Sequence, residues 1–233
     1  MSQPQWHLFD DKISFIASLV EAASEILSEQ SRPQLLLSGG STPGPFYAAL
    51  GRAALDWSRT TIGLVDERWV DLSDPGSNEA LMRQTLDLDV QTGVSFVGMK
   101  THHARPHDAI AEVNHAYQAL AHPSLTILGM GPDAHTASWF AEAPEFDAAS
   151  SKDTPSLVCA VTAPNNSVTN GYVERMTITG AVLDKTAHSF LIIQGKEKID
   201  LLRQCLAASA DATPIGRAMA ILGQRLRIFA LEE

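Results

Sequence analysis

The chain has 233 residues, of which 45% are apolar and 19% charged, and its formal net charge is −10 with a pI near 5.2. This acidic balance argues against binding to nucleic acid or to an anionic membrane surface, because phosphate-rich partners require a basic footprint. A small anionic ligand is still compatible with the composition, since it needs only a local positive pocket.

Cysteine usage and the absence of long apolar runs predict a reducing, cytoplasmic location. Cys159 and Cys205 each lie inside an apolar segment and form no CxxC pair, so both are expected to be packing residues. The segment 1–7 has no basic region followed by an apolar run, and no stretch approaches 18 consecutive apolar residues. We therefore expect no membrane segment.

Short apolar runs and helically spaced apolar residues alternate along the chain. In the first half, the pattern predicts a helix from Asp10–Asp11 to Arg32–Pro33, a strand at 34–38, a helix after Gly44, a strand at 61–65, a helix from Ser77, a strand at 94–97 and a helix carrying Ile110 to Leu120. In the second half, it predicts strands at 125–129, 157–161, 175–179, 189–193 and 227–230. These are separated by helices near 135–140, 181–185, 199–206 and 214–222 and by a surface loop at 141–155.

Continuous apolar strands that alternate with helices are typical of a mostly parallel sheet with helices on both faces. The sequence contains no repeat, low-complexity tract or linker. It therefore predicts a doubly wound α/β protein with a single domain spanning residues 1–233.

The segment Leu125–Ser138 combines an apolar strand with two glycines and two chemically active side chains. Gly129 and Gly131 allow a sharp turn out of the strand, and Asp133 and His135 follow at the mouth of the sheet, where open α/β folds bind ligands. A strand-to-helix turn with a capping aspartate and a solvated histidine would have the same pattern. The neighbouring motifs favour the functional interpretation.

A second motif, Ser38–Gly44, joins a strand to a helix and is typical of an anion site. Free backbone N–H groups at Gly39 and Gly40, the helix dipole and the hydroxyls of Ser41 and Thr42 all favour a phosphate. The loop lacks the Gly-Lys-Ser/Thr ending of a nucleotide P-loop, so it does not indicate ATP chemistry. A plain capped turn is the alternative.

Three further charged groups could contribute to the same edge of the sheet. Asp66-Glu67-Arg68 follows the strand at 61–65, so it lies on the ligand side. Arg175 and Lys198 would be ordinary surface cations unless the fold brings them to the Ser38–Thr42 loop.

Two other chemistries fit the sequence poorly. Gly129, Gly131 and Ala134 match a dinucleotide-binding pattern, but Pro132 removes an N–H that the pyrophosphate would need and no ribose-binding acid follows. A second group, His102, His103 and His107, lies in or next to a proline-containing loop with no cysteine or carboxylate at metal-site spacing. We expect these three to be solvated histidines, and we predict no metal.

Taken in order, five motifs closely resemble the 6-phosphogluconolactonases, over nearly the whole chain: Gly39–Pro43, Asp66–Arg68, Ser77–Asn78, Gly129–Ser138 and Arg175–Thr179. This resemblance implies an α/β fold shared with glucosamine-6-phosphate deaminases and ribose-5-phosphate isomerases. It also implies hydrolysis of 6-phospho-D-glucono-1,5-lactone to 6-phosphogluconate in the oxidative pentose phosphate pathway, without a cofactor.

The resemblance assigns a role to each matching residue. His135 would be the general base, Asp133 would orient it or cap the turn, and Arg68 would stabilise the oxyanion or hold a sugar oxygen. The 6-phosphate would be bound by the loop residues Gly39, Gly40, Ser41 and Thr42 with Arg175 and Lys198, and Asp66 and Asn78 would lie near the sugar. The chain departs from the family where glycine is usual at Ala134 and proline at Ala141; alanine at 134 requires a negative φ.

Two alternative functions share parts of this pattern. An amino-sugar phosphate deaminase or isomerase would share the fold, but the resemblance implies that those enzymes usually have Asp-Glu-Tyr where this chain has Asp66-Glu67-Arg68, and a glutamate where it has Phe140. A non-catalytic sugar-phosphate sensor would have no use for His135. No oligomeric state is predicted.

Overall fold

The computed structural model describes residues 4–89, 91, 93–209 and 212–233. Within these ranges, ten strands and eight α-helices follow one another in this order: β1 (Gln5–Phe9), α1 (Lys12–Ser28), β2 (Gln34–Leu37), α2 (Gly44–Gly51), β3 (Thr61–Leu64), β4 (Asp66–Arg68), α3 (Asn78–Thr85), β5 (Ser95–Val97), α4 (Pro106–Ala116), β6 (Leu125–Leu128), α5 (Phe146–Ser150), β7 (Val158–Thr162), β8 (Glu174–Ile178), α6 (Gly180–Lys185), β9 (His188–Gln194), α7 (Lys196–Ala207), α8 (Pro214–Leu222) and β10 (Leu226–Leu231).

Seven strands form one sheet in the order β1-β10-β9-β6-β2-β3-β5, and every neighbouring pair is parallel. Parallel crossovers are right-handed, so helices that carry the chain in opposite directions across the sheet lie on opposite faces. The helices α1, α2 and α3 connect strands in one direction, and α4, α7 and α8 connect them in the other. The predicted doubly wound sheet is confirmed.

A second, smaller sheet contains β4, β8 and β7, and its strands pair antiparallel. The sequence predicted a mostly parallel sheet but did not assign 157–161 and 175–179 to a second sheet, and Asp66–Arg68 was not predicted as a strand. The chain leaves the parallel sheet at Val65, whose N–H still donates to Leu37 and whose carbonyl accepts from Ile178. One residue thus joins the two sheets.

Three other segments differ from the predicted elements. The helix predicted near 135–140 is a loop of consecutive turns, and the predicted surface loop at 141–155 contains α5. Strand β1 was missed, because it lies at the edge of the sheet and its side chains are only half-buried or exposed. Ser77 caps α3 through Ala80 N–H, as the sequence predicted for the start of that helix.

Strands β2 and β6 are neighbours although a long stretch of chain separates them. From β2 the chain winds toward β5, whereas from β6 it winds toward β10, so the winding direction reverses between them. The carboxyl ends of two such strands form the crevice where open α/β sheets bind ligands. Both glycine-rich motifs, 38–44 and 129–138, begin at this crevice.

The buried hydroxyl of Tyr117 completes the hydrogen bonding of the parallel sheet. Strand β5 ends opposite Gly63, so the next residue, Leu64, has no strand partner on that side. The Tyr117 hydroxyl donates to the Leu64 carbonyl at 3.0 Å and accepts from the Leu64 N–H at 2.9 Å. No helix of the described residues is long and apolar enough to cross a membrane.

Replacing Tyr117 by phenylalanine should lower the free energy of unfolding by about 2–4 kcal/mol, because two buried backbone groups lose their partner. Equilibrium denaturation would measure the loss. Tyr47→Phe is the matched control, since the equally buried Tyr47 hydroxyl donates only to the Ser38 carbonyl. A loss for Tyr117→Phe no larger than that for Tyr47→Phe would contradict this interpretation.

Candidate active site

A cavity of about 240 Å³ lies at the carboxyl ends of β2 and β6, between the two sheets. Its wall contains ten of the eleven residues that the sequence singled out: Gly39, Gly40, Ser41, Thr42, Asp66, Arg68, Asn78, His135, Arg175 and Lys198. The eleventh, Asp133, is not part of the wall and lies behind His135. The fold therefore brings together motifs that are far apart in sequence.

Asp133 and His135 form a hydrogen-bonded pair with Nδ1 of His135 2.5 Å from Oδ1 of Asp133. Burial alone would raise the pKa of Asp133, but its hydrogen bond with His135 and the imidazole charge outweigh burial and hold that pKa below its ordinary value. In the neutral imidazole, the ionised carboxylate favours the tautomer with the proton on Nδ1, which leaves the lone pair of Nε2 free. This tautomer is the one that a general base requires.

The turn that carries the pair leaves no room for a side chain at Gly131. A Cβ atom there would lie 2.2 Å from the His135 ring and 2.6 Å from Oδ1 of Asp133. The Gly131 N–H also donates to the His135 carbonyl at 2.9 Å. Gly131 thus packs directly against the imidazole. A glycine is required here because a side chain would clash with His135 and Asp133, and not because of its backbone angle.

Ala134 has φ +62°, in the left-handed region, and Ala137 has φ +51°. The expectation of a negative φ at Ala134 was wrong: the turn keeps the conformation that a glycine would take, and the alanine adopts it with strain. Its carbonyl accepts the Ile215 N–H at the start of α8, at 3.1 Å. Packing around this buried turn holds the strained angle.

Asp66 and Arg175 form a buried ion pair in the cavity wall. Nη1 of Arg175 lies 3.6 Å from Oδ2 of Asp66, and the same oxygen accepts the Ser138 hydroxyl at 2.5 Å. Burial lowers the pKa of Arg175, which the charge of Asp66 opposes. Nε of Arg175 donates to the Tyr172 carbonyl, so most of its donors are already engaged.

Arg68 is held at the rim of the cavity by the loop 71–76 and by Tyr172. Its Nη1 donates to the Gly76 carbonyl at 2.8 Å, and its guanidinium lies 5.8 Å from the centre of the Tyr172 ring. The Tyr172 hydroxyl in turn donates to Asp74 at 2.8 Å. The buried Nε of Arg68 has no hydrogen-bond partner among the described residues.

Asn78 packs against the loop Ser38–Gly44, the anion loop, on the side that faces the protein interior. Its Nδ2 donates to the Asp66 carbonyl at 2.8 Å, and its amide packs so closely on Gly39 that a Cβ there would lie 1.9 Å from Oδ1. The Asn78 side chain is therefore used mainly for protein contacts.

The remaining groups of the wall suit an anion. The hydroxyls of Ser41 and Thr42 accept or donate no hydrogen bond to another described residue, and Gly40 has φ +102°. Lys198 lies in the first turn of α7, and burial lowers the pKa of its ammonium. No carboxylate of the described residues lies within 4 Å of this ammonium, so its charge faces the cavity unpaired.

Four residues that matter for this geometry received no predicted role. Glu67 is fully buried and accepts three backbone N–H groups, from Arg68 and from the start of α3; burial raises its pKa to about 7, which these hydrogen bonds oppose. The others are Ser138, Tyr172 and Phe140. Phe140 packs its ring on His135 at 4.5 Å and under Arg175 at 5.3 Å. Glu67 and Ser138 lie inside the quoted motifs, but nothing local marks Tyr172.

The three histidines considered for a metal separate in the structure. His107 lies beside Glu145 at 3.7 Å, whereas His102 and His103 lie beside Glu112. None of them lines the cavity. Among the described residues, no group of three potential metal ligands does.

The fold and the cavity together define a class of protein. It is a doubly wound α/β protein that has an anion loop, unpaired cations and an imidazole hydrogen-bonded to an aspartate, at the point where the winding direction of the sheet reverses. The chain belongs to the glucosamine-6-phosphate isomerases/6-phosphogluconolactonase family, whose model matches residues 13–225.

Individual relatives agree with this family. The chain is 34% identical over 230 residues to a 6-phosphogluconolactonase of Xylella fastidiosa, covering 94% of this chain and 93% of that one. It is similar to the crystal structure of a 6-phosphogluconolactonase from Shewanella baltica, with TM-score 0.84, 25% identity and coverage of 99% and 97%. A monomeric glucosamine-6-phosphate deaminase has the same fold, with TM-score 0.80 at 14% identity and coverage of 98% and 97%.

Replacing Ala134 by glycine should raise the free energy of unfolding by about 0.5–1 kcal/mol. Relief of the left-handed strain exceeds the entropy that glycine adds to the unfolded chain. Denaturant unfolding would measure the gain. Ala22→Gly, in the middle of α1, should instead lose about 0.5–1 kcal/mol. A loss at both positions would show that Ala134 is not strained.

Proposed function

We propose that the protein hydrolyses 6-phospho-D-glucono-1,5-lactone to 6-phospho-D-gluconate, a carboxylic ester hydrolysis that needs no cofactor. The observation that carries the proposal is the Asp133–His135 pair, whose imidazole lines a cavity that also contains Arg68 and the unpaired Lys198. The choice of substrate rests on the family and on the lactonase relatives.

In the first step, Nε2 of His135 takes a proton from a water molecule as its oxygen attacks the lactone carbonyl. Asp133 stabilises the resulting imidazolium and keeps the ring in place. Negative charge develops on the carbonyl oxygen, and we assign its stabilisation to the guanidinium of Arg68, which lines the cavity.

In the second step, the tetrahedral intermediate collapses and the bond between the carbonyl carbon and the ring oxygen breaks. The imidazolium returns its proton to the leaving ring oxygen, which becomes a hydroxyl. The product is the open-chain acid, which releases a proton to solvent at neutral pH. His135 is regenerated without any further group.

The 6-phosphate would bind at the opposite end of the cavity. Lys198 supplies an unpaired charge, Ser41 and Thr42 supply free hydroxyls, and the backbone of Gly39 and Gly40 supplies N–H donors. Arg175 is assigned a shared role: its pair with Asp66 fixes it, and only the nitrogen not used by Tyr172, Ser138 or Asp66 is left for the ligand.

The deaminase alternative shares the fold, so fold similarity does not separate the two functions. Phe140 separates the two functions, because the deaminases usually have a glutamate at this sequence position, five residues after the histidine. An apolar ring buried 4.5 Å from the imidazole can neither accept nor donate a proton. The site therefore favours hydrolysis over an amino-sugar isomerisation.

The decisive experiment follows the decay of freshly prepared 6-phosphogluconolactone with and without the protein, alongside release of ammonia from glucosamine 6-phosphate. Hydrolysis well above the spontaneous rate, with no ammonia, is the expected result. Ammonia release would favour the deaminase, and binding of 6-phosphogluconate without turnover would favour a sugar-phosphate sensor.

Replacing His135 by alanine should lower kcat by about 10²- to 10⁴-fold with little change in KM, since the lost interaction acts on the attacking water. Initial-rate kinetics with the lactone would test this. His115→Ala, at an exposed position outside the cavity, is the control and should match the wild type. An unchanged kcat for His135→Ala would exclude His135 as the base.

Replacing Lys198 by alanine should raise KM by about 10- to 100-fold, because one charge-assisted hydrogen bond to the phosphate is lost, while kcat changes less. Lys196→Ala offers a matched control on the same helix, at an exposed position outside the cavity. Equal KM values for the two variants would remove Lys198 from the phosphate site.

We also infer a single functional domain and a cytoplasmic location. The domain inference is supported by one continuous hydrophobic core that includes residues from both sheets. The location is supported by two unpaired cysteines and by a phosphorylated sugar as the partner. The acidic surface argues against nucleic acid as a further partner.

A further inference from the structure

A cluster of three metal-binding side chains lies outside the cavity, where α4 packs against the loop that precedes it. Nδ1 of His103 is 3.4 Å from Oε2 of Glu112, and Nδ1 of His102 is 3.9 Å from the same oxygen. One ligand atom from each residue lies within 4.8 Å of the other two. The two imidazole rings face each other with their centres 4.2 Å apart.

We propose that His102, His103 and Glu112 form a binding site for a late first-row divalent metal ion of the zinc type. Two imidazole nitrogens and one carboxylate oxygen are a common ligand set for zinc, and exposure of the site leaves a fourth position for water. Neighbouring ligands of a tetrahedral zinc ion lie roughly 3.3–3.5 Å apart, as bond lengths near 2.0–2.2 Å require. The His103–Glu112 separation already fits this spacing.

The ligands differ in how firmly they are held. The His103 carbonyl accepts the Trp69 Nε1–H at 3.1 Å, and its N–H donates to the Thr101 hydroxyl at 3.3 Å. Glu112 is fixed by its place on α4. The His102 side chain is 81% exposed, so a rotation of this side chain can shorten its distance to the ion without moving the backbone.

The charges around Glu112 favour a cation. No lysine or arginine of the described residues lies within 4 Å of its carboxylate, whose charged partners there are the two histidines. When these imidazoles are neutral, the carboxylate has no counter-ion. The nearby Lys100 is held by the carbonyls of Thr101 and His103 and by the Trp69 ring, so its ammonium is engaged elsewhere.

This site is independent of the proposed hydrolysis, because none of its ligands lines the cavity. Trp69, which directly follows Arg68, donates a hydrogen bond to the His103 carbonyl and so connects this site with the rim of the cavity. We therefore expect metal binding to stabilise this side of the fold and to leave lactone turnover unchanged.

The test is titration of the full-length chain, without a histidine tag, with Zn²⁺ by calorimetry, and with Co²⁺ by visible absorption, which reports the coordination geometry. His102→Ala, His103→Ala and Glu112→Gln should each weaken binding by about 10- to 100-fold or more. His107→Ala is the matched control from the same region and should bind like the wild type. Zn²⁺ should also raise the melting temperature of the wild type and of His107→Ala, but not of the ligand variants.

Absence of Zn²⁺ binding to the wild type would overturn the proposal. So would binding that persists in His103→Ala and Glu112→Gln, because the ion would then lie elsewhere, or binding that His107→Ala weakens equally. Circular dichroism of each variant confirms that the fold is intact, which these exposed positions should allow.

Discussion

The buried ion pair between Asp66 and Arg175 lies where the antiparallel sheet meets the loop after β6, at the place where the cavity forms. Both residues belong to the antiparallel sheet, and the Ser138 hydroxyl joins them from the loop that follows the parallel strand β6. A buried ion pair gains little net stability, because desolvation offsets the attraction. Losing one partner would be costly, however, since the other charge would stay buried and unpaired. The pair therefore specifies an arrangement of elements more than it strengthens the fold.

The turn that carries Asp133 and His135 shows how local strain can be tolerated when the surrounding contacts determine a single conformation. Gly131 lies so close to the imidazole and to Asp133 that no larger residue fits. Ala134, between Asp133 and His135 in the sequence, adopts a left-handed backbone conformation. The N–H of Ile215 at the start of α8 and the packing of Phe140 hold this geometry from outside the turn. The position of the histidine is thus set by elements that are distant in sequence.

Much of the fold could be predicted from the sequence, because parallel strands bury both faces and read as continuous apolar runs. The anion loop and the turn at 129–138 were recognised because glycines and polar residues directly follow such runs. Their meeting in one cavity could also be expected, since parallel strands end at the same edge. The grouping of Arg68 and Arg175 around that edge could not, because it depends on a second sheet whose strands are short and mixed in polarity.

Other features depended on tertiary contacts that leave no periodic signal. The helix predicted near 135–140 failed because its apolar residues, Trp139 and Phe140, are buried by tight turns instead of a helical face. The role of Tyr172 rests on contacts with a loop about a hundred residues earlier. Glu112 is brought to two histidines only by the packing of α4 against its preceding loop. Composition and spacing carry no information about such pairs.

Because the wall of the cavity is divided between two sheets, partial unfolding of one sheet would disrupt the site. The anion loop and Lys198 are attached to the parallel sheet, whereas Arg68, Arg175 and Asp66 are attached to the antiparallel one. Partial opening of the small sheet would separate Arg68 and Arg175 from His135, Lys198 and the anion loop. A ligand that touches both walls would oppose this opening and would couple its own affinity to the docking of the sheets. Bound substrate would thus stabilise the packing of the two sheets against each other, and its release would remove that stabilisation.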